Sequence, residues 1–131
     1  MMEKNYDVWN KVKKETDEKT PSISMKAGEI RWCRIGINIG REELGKGDTF
    51  KRPVLILKKF SGDVFLGLPL TSKFHSGDWY YPLLQKELYG YVILNQARVF
   101  DRKRLEDKII ELTENELTSI KKAYCDLILK S

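Results

Sequence analysis

From Glu29 to Ile35, apolar Ile30, Trp32 and Ile35 are interleaved with Arg31 and Arg34. That near-alternation predicts a half-buried strand, because successive side chains of an extended chain point to opposite sides. Pro53 to Leu57 is a continuous apolar run and predicts a strand buried on both faces. Ser61-Gly62-Asp63 supplies a hairpin turn into a strand from Val64 to Leu70, and Gly77-Asp78 leads into Trp79 to Leu83. Tyr91 to Val99 reads as one further strand. Turn signals recur about every ten residues, the rhythm of a small barrel rather than of βαβ units.

The pattern changes at both ends. Thr113-Glu114-Asn115-Glu116 is a capping box, with Leu112 and Leu117 placed to form a hydrophobic staple, so a helix starts at about Glu114. Leu117, Ile120, Tyr124, Leu127 and Ile128 form its apolar face, which packs on the barrel. A shorter turn begins at Asp101, which can cap Arg102 to Leu105. At the other end Tyr6, Trp9 and Val12 recur every three positions among charged residues and predict a short amphipathic helix, ended by Thr20-Pro21-Ser22. Gly36, Gly40, Gly45 and Gly47 mark a long loop before Lys51. The chain thus divides into an N-terminal helical extension, residues 1–27, and a mainly β domain with a packed C-terminal helix, residues 28–131. The extension caps one edge of the barrel or serves as a binding arm.

At 131 residues the chain fits one domain, and 41% hydrophobic with 33% charged residues supports a packed core under a solvated surface. Lys and Arg number 24 against 19 Asp and Glu, a net charge of +5 that favours polyanionic partners. No apolar run approaches the roughly 18 residues of a membrane span, and no signal-peptide stretch opens the chain, so a cytoplasmic location is expected. Cys33 and Cys125 stand alone, without a second pair to build a zinc site, and read as reduced core residues.

Arg52 opens the apolar run, and its planar fork of donors suits a phosphate. Thr71 and Ser72 place hydroxyls at the end of the next strand. This combination points to phosphodiester recognition. The plain alternatives are a surface arginine at a strand end and a threonine that caps a turn. There is no H-E-x-x-H segment, no paired Asp cluster and a single histidine, so neither a metal nor a cofactor is expected. That histidine, His75, titrates in the range suited to proton transfer, or is simply a solvated loop residue. Trp79, Tyr80 and Tyr81 offer stacking surfaces for unpaired bases, or alternate into the core.

Four segments in this order, Gly28-Glu29-Ile30-Arg31-Trp32, Arg52-Pro53-Val54-Leu55-Ile56, Leu70-Thr71-Ser72 and Gln96 to Leu105, resemble the MazF/PemK family of bacterial toxin endoribonucleases. The resemblance runs from about Gly28 to Leu129 and implies an SH3-like barrel. It further implies that Arg52 and Thr71 are catalytic and that Glu42 matches an acidic residue of the family's first loop. Ser72 and His75 complete the catalytic candidates. Lys46, Lys51, Lys73, Gln96 and Trp79 are the RNA-binding candidates, while Arg98 and Asp101 have structural roles, one pairing with a carboxylate and the other capping a turn. The function implied is metal-independent cleavage of single-stranded RNA by attack of the 2′-hydroxyl, within a toxin–antitoxin pair. The partners implied are an acidic antitoxin peptide and a second copy of the chain as a homodimer. The rival expectation is a non-catalytic SH3-like module that binds RNA or a protein.

Overall fold

The computed structural model describes residues 24–36, 51–73, 77–84 and 90–130. The helix expected around Tyr6, Trp9 and Val12, and most of the glycine-bearing loop, lie outside them. The strands are β1 Glu29–Arg34, β2 Lys51–Lys59, β3 Val64–Thr71, β4 Tyr80–Pro82, β5 Tyr91–Ile93, β6 Arg98–Asp101 and β7 Leu105–Glu111, followed by a helix, α1, Glu114–Leu129. The ladder runs β4-β5-β3-β2-β1-β7, with β6 also on β3, and every pairing is antiparallel.

The run without alternation in β2 has a direct cause: Pro53 to Leu57 are all buried, because cores lie on both sides of the strand. On one side Leu55 and Leu57 join Ile30, Leu68, Leu70, Val92 and, from α1, Ile120. On the other, Val54 and Ile56 join Cys33, Phe65, Phe100 and Leu105. Each such side chain contributes about 1.5–3 kcal/mol when fully buried. At Gly67 the second core comes close to the backbone. A Cβ there would stand 2.7 Å from Val54 Cγ1 and 3.0 Å from the Phe100 ring.

Tyr91 to Val99 is not one strand. β5 pairs Val92 with Leu70, whereas β6 pairs Arg98 with Gly67. Between those two pairs β3 advances three residues and its partner six, so three residues are surplus, and a 3₁₀ turn at Leu94–Gln96 takes them up. β7 was not expected at all. Its Leu-Glu-Asp-Lys-Ile-Ile-Glu sequence lacks a clean period of two, because it pairs with β1 through register shifts at Ile30/Arg31 and Arg31/Cys33.

Among the described residues the sheet does not close into the expected barrel. β4 and β7 end the ladder and do not pair with each other. The chain crosses from β6 to β7 through a 3₁₀ turn, Arg102–Arg104, so the sheet curls round the second core by covalent connection rather than by a hydrogen-bonded seam. Asp101 Oδ1 accepts from the Lys103 N–H at 2.8 Å, the capping role expected of it.

Thr113 caps α1 by accepting the Glu116 N–H at 3.2 Å. Glu116 is itself buried, and its Oε2 accepts from the Leu84 N–H at 2.8 Å, tying the segment after β4 to the helix. Ile120 is fully buried and Leu117, Tyr124 and Leu127 pack on the same core. Ile128 does not belong to that face. It is 62% exposed, because at 100° per residue it sits about 80° round the helix from Ile120, whereas Leu127 returns almost into line. For the same reason Cys125, expected in the core, is exposed, while Cys33 is buried. Among the described residues no helix is long and apolar enough to cross a membrane.

Candidate functional site

Alternation along β2 puts Arg52 on the face of Val54 and Ile56, toward the second core, with Cys33 of β1 as its cross-strand partner. Arg52 is only 2% exposed, and its Nε donates to the Leu70 carbonyl at 3.2 Å. This anchor on β3 fixes the guanidinium beside the next residue, Thr71. Thr71 ends β3, is 3% exposed, and its hydroxyl accepts from the Lys73 N–H at 3.2 Å. That side-chain turn leads the backbone out of the sheet and leaves Ser72 and Lys73 exposed. The register that pairs Val54 with Pro69 therefore gathers Arg52, Thr71, Ser72 and Lys73 at one end of the β2–β3 hairpin.

More positive charge converges there than the motifs indicated. Burial pushes the Cys33 thiol up to about 12, against the opposing fields of Arg104 and Arg98. Cys33 is thus a closed, inert thiol, and both guanidiniums lie near enough to act on it. Arg104 Nη1 donates to the Arg34 carbonyl at 3.1 Å, and the Arg98 guanidinium lies 5.0 Å over the Phe100 ring centroid. Arg104 escaped the sequence reading because only the pairing of Leu105 with Cys33 brings the turn before β7 to this end of β1.

Lys51 points the other way. It pairs with Arg34 across β1 and β2, and the two cations share one carboxylate from β7. Lys51 Nζ stands 2.7 Å from Glu106 Oε1, and Arg34 Nε donates to Glu106 Oε2. Burial raises the Glu106 pKa, but the hydrogen bonds from Lys51 and Arg34 outweigh it and hold the carboxyl below its ordinary range. Nothing in the spacing of the sequence links residues 34, 51 and 106; only strand register does.

Two other candidates lie apart from the hairpin end. Tyr91 pairs with Thr71, but Leu94, whose N–H bonds the Trp79 carbonyl at 2.6 Å, comes three residues later, roughly 10 Å along an extended chain. Trp79, 39% exposed, and Gln96, in the 3₁₀ turn, occupy that far end. The Trp79 and Tyr80 rings lie with centroids 6.1 Å apart, while Tyr81 packs on the helix-side core; Trp79 precedes β4, so strict alternation does not govern where its ring goes. Asp78 beside them is ion-paired with Lys130 at the end of α1. Glu42, Lys46 and His75 lie outside the described residues. Among the described residues no three His, Cys, Asp or Glu side chains cluster as metal ligands.

Comparison with known proteins gives this geometry a context. A comparison with curated protein sequences gives no significant match. Among solved structures, MazF from Deinococcus radiodurans superposes with a TM-score of 0.66 at 21% identity, over 82% of this chain and 98% of that one. A MazE–MazF structure from the same organism gives 0.62 at 19% identity, over 84% and 100%. An endoribonuclease in complex with its cognate antitoxin, from a mycobacterial species, gives 0.62 at 19%, over 82% and 99%. At such identities these likenesses establish the fold. The model of the PemK-like, MazF-like toxins of type II toxin–antitoxin systems matches residues 26–128, and the chain belongs to that family.

Proposed function

We propose that the protein is an endoribonuclease that cleaves single-stranded RNA without a metal ion, as the toxin of a toxin–antitoxin pair. The observation that carries this reading is the register that sets Arg52 beside Thr71 in a chain of this family. The 2′-oxygen forms a bond to phosphorus while the bond to the 5′-oxygen breaks. A base takes the 2′-hydroxyl proton and an acid supplies one to the leaving oxygen. Arg52 stabilises the charge that develops on the phosphate, a contribution of about 3 kcal/mol for one well-placed donor. Thr71 bonds a non-bridging oxygen or the 2′-hydroxyl, with Ser72 next to it. Glu42 and His75 are the candidates for moving the protons. Lys46, Lys51, Lys73, Gln96 and Trp79 contact the flanking strand, in a groove across a homodimer that an acidic antitoxin peptide also occupies. Similar solved structures that hold MazE, or a cognate antitoxin, support an antitoxin as a partner.

A second reading keeps the scaffold without turnover, as a module that binds RNA or a protein. The burial of Arg52 and Thr71 favours it, since each already has a backbone partner. Incubation with mixed-sequence RNA in EDTA separates the two. The nuclease gives a cleavage ladder whose products end in a 2′,3′-cyclic phosphate or 3′-phosphate and a 5′-hydroxyl, and Arg52→Ala abolishes it. Intact RNA with retained binding establishes the module.

A further inference from the structure

We propose that Arg34 and Lys51 form a second phosphodiester subsite, for the RNA strand flanking the scissile bond, and that Glu106 fills it as a stand-in for phosphate when no RNA is bound. The proposal rests on the reading of RNA as the ligand. Arg34 and Lys51 are directly paired residues of β1 and β2, so their side chains leave the same face of the sheet. Both reach one carboxylate, Lys51 through Nζ at 2.7 Å and Arg34 through Nε. A carboxylate held by two cations presents them with the oxygen geometry that a phosphodiester also presents.

Three features distinguish this triad from an ion pair that only braces the sheet. The side chains of Arg34, Lys51 and Glu106 remain 26%, 30% and 18% exposed, so a polyanion reaches them without unfolding the strands. The triad carries a net positive charge, and Arg104 is bonded to the Arg34 carbonyl immediately behind it. Lys51 is also the chain neighbour of Arg52, one strand step of about 3.3 Å away on the opposite face. The subsite thus stands at the same end of β2 as Arg52, with Lys51 the more accessible of the two cations. Displacing Glu106 from its cations exchanges one anion for another, so binding at this subsite is weaker than the two cations alone would give.

The test uses the full chain and a labelled single-stranded oligonucleotide with 2′-O-methyl riboses, which lacks the attacking hydroxyl. Fluorescence anisotropy yields Kd across a salt series for the wild type, Glu106→Gln, Lys51→Met and Arg34→Met, with melting curves to establish that each is folded. Glu106→Gln tightens binding by about fivefold at low salt. Lys51→Met and Arg34→Met weaken it, each lowering the slope of log Kd against log salt by about 0.7. Lys51→Met, a change at a partly exposed strand start, keeps the test decisive if Glu106→Gln fails to fold. Unchanged affinity and slope in the folded variants overturn the subsite, and cleavage of ordinary RNA by the wild type then still upholds the nuclease. Weaker binding by folded Glu106→Gln overturns the stand-in role. No binding by the wild type, together with intact RNA, overturns both readings.

Discussion

The first two residues of β2 hold their charges in opposite ways. Arg52 is buried on the face toward the second core, its inner face here, and oriented by a neutral carbonyl of β3. Lys51 is partly exposed at the end of the opposite face, the outer one here, which carries Leu55 and Leu57 further along, and is joined to Arg34 through the Glu106 carboxylate. One arrangement fixes the direction of a guanidinium. The other balances charge at a surface that solvent and polyanions reach. A group that stabilises a developing charge gains from being rigid before the reaction begins, while a group that only holds the strand gains little from rigidity. The inner face therefore suits chemistry and the outer face suits binding.

The largest effect that can break this comparison is at Arg52. Arg52→Ala should lower the rate of RNA cleavage at least 100-fold, in line with a loss of about 3 kcal/mol, and Arg52→Lys should not restore it, because an ammonium cannot reproduce the fixed fork. Single-turnover rates alongside urea denaturation separate this from instability, since leaving the Leu70 carbonyl unpaired costs about 1–3 kcal/mol on its own. A rate that falls only as far as the folded fraction falls would place Arg52 in the scaffold. Next in size is Gly67→Ala, which forces a Cβ against Val54 and Phe100 in the core behind Arg52. It should cost about 2 kcal/mol in urea denaturation. A neutral result would mean that the inner core is looser than its contacts imply.

How far the sequence disclosed this arrangement depends on the range of the interactions. Local features were readable: the doubly buried run of β2, the Ser61–Asp63 turn, the Thr113 cap and the Asp101 cap each depend on residues within a few positions. The motifs also brought out Arg52 and Thr71, because the elements that carry them are adjacent in sequence and joined by a short hairpin. The triad of Arg34, Lys51 and Glu106, the approach of Arg104, and β7 itself depend on pairings between distant segments. Their residues look like ordinary surface charge until the register is known. The Tyr91–Val99 region failed for a similar reason, since its apolar pattern is continuous while its partner positions on β3 are not.

Acid should weaken the outer face. The folded Glu106 pKa is depressed, so its contribution to stability is present above the unfolded value of about 4.3 and is lost as pH falls through the lower folded value. Melting temperatures recorded from pH 6 down to pH 3 should therefore drop more steeply for the wild type than for Glu106→Gln, by a small margin because burial of the carboxyl offsets much of what its two cations contribute. Parallel curves for the two proteins would show that the triad contributes no net stability. The outer face would then be free to exchange its carboxylate for another anion at little cost.

The smallest effect tests whether the inner face is as closed as the comparison requires. Cys33 lies opposite Arg52 in the register, is fully buried, and has its thiol pushed up to about 12 by that burial. At pH 8 a thiol of that pKa is ionised in about one molecule in ten thousand, and a buried thiolate still has to meet the reagent. Cys125 is exposed on α1, where a reagent reaches it directly. A disulfide reagent should thus titrate one thiol rapidly in the folded protein and the second only after denaturation. If both react quickly, solvent enters the face that holds Arg52, and a phosphate needs no rearrangement to reach the guanidinium. If only Cys125 reacts, RNA must open the hairpin end to reach Arg52, and adding the non-cleavable oligonucleotide should then measurably accelerate the labelling of Cys33.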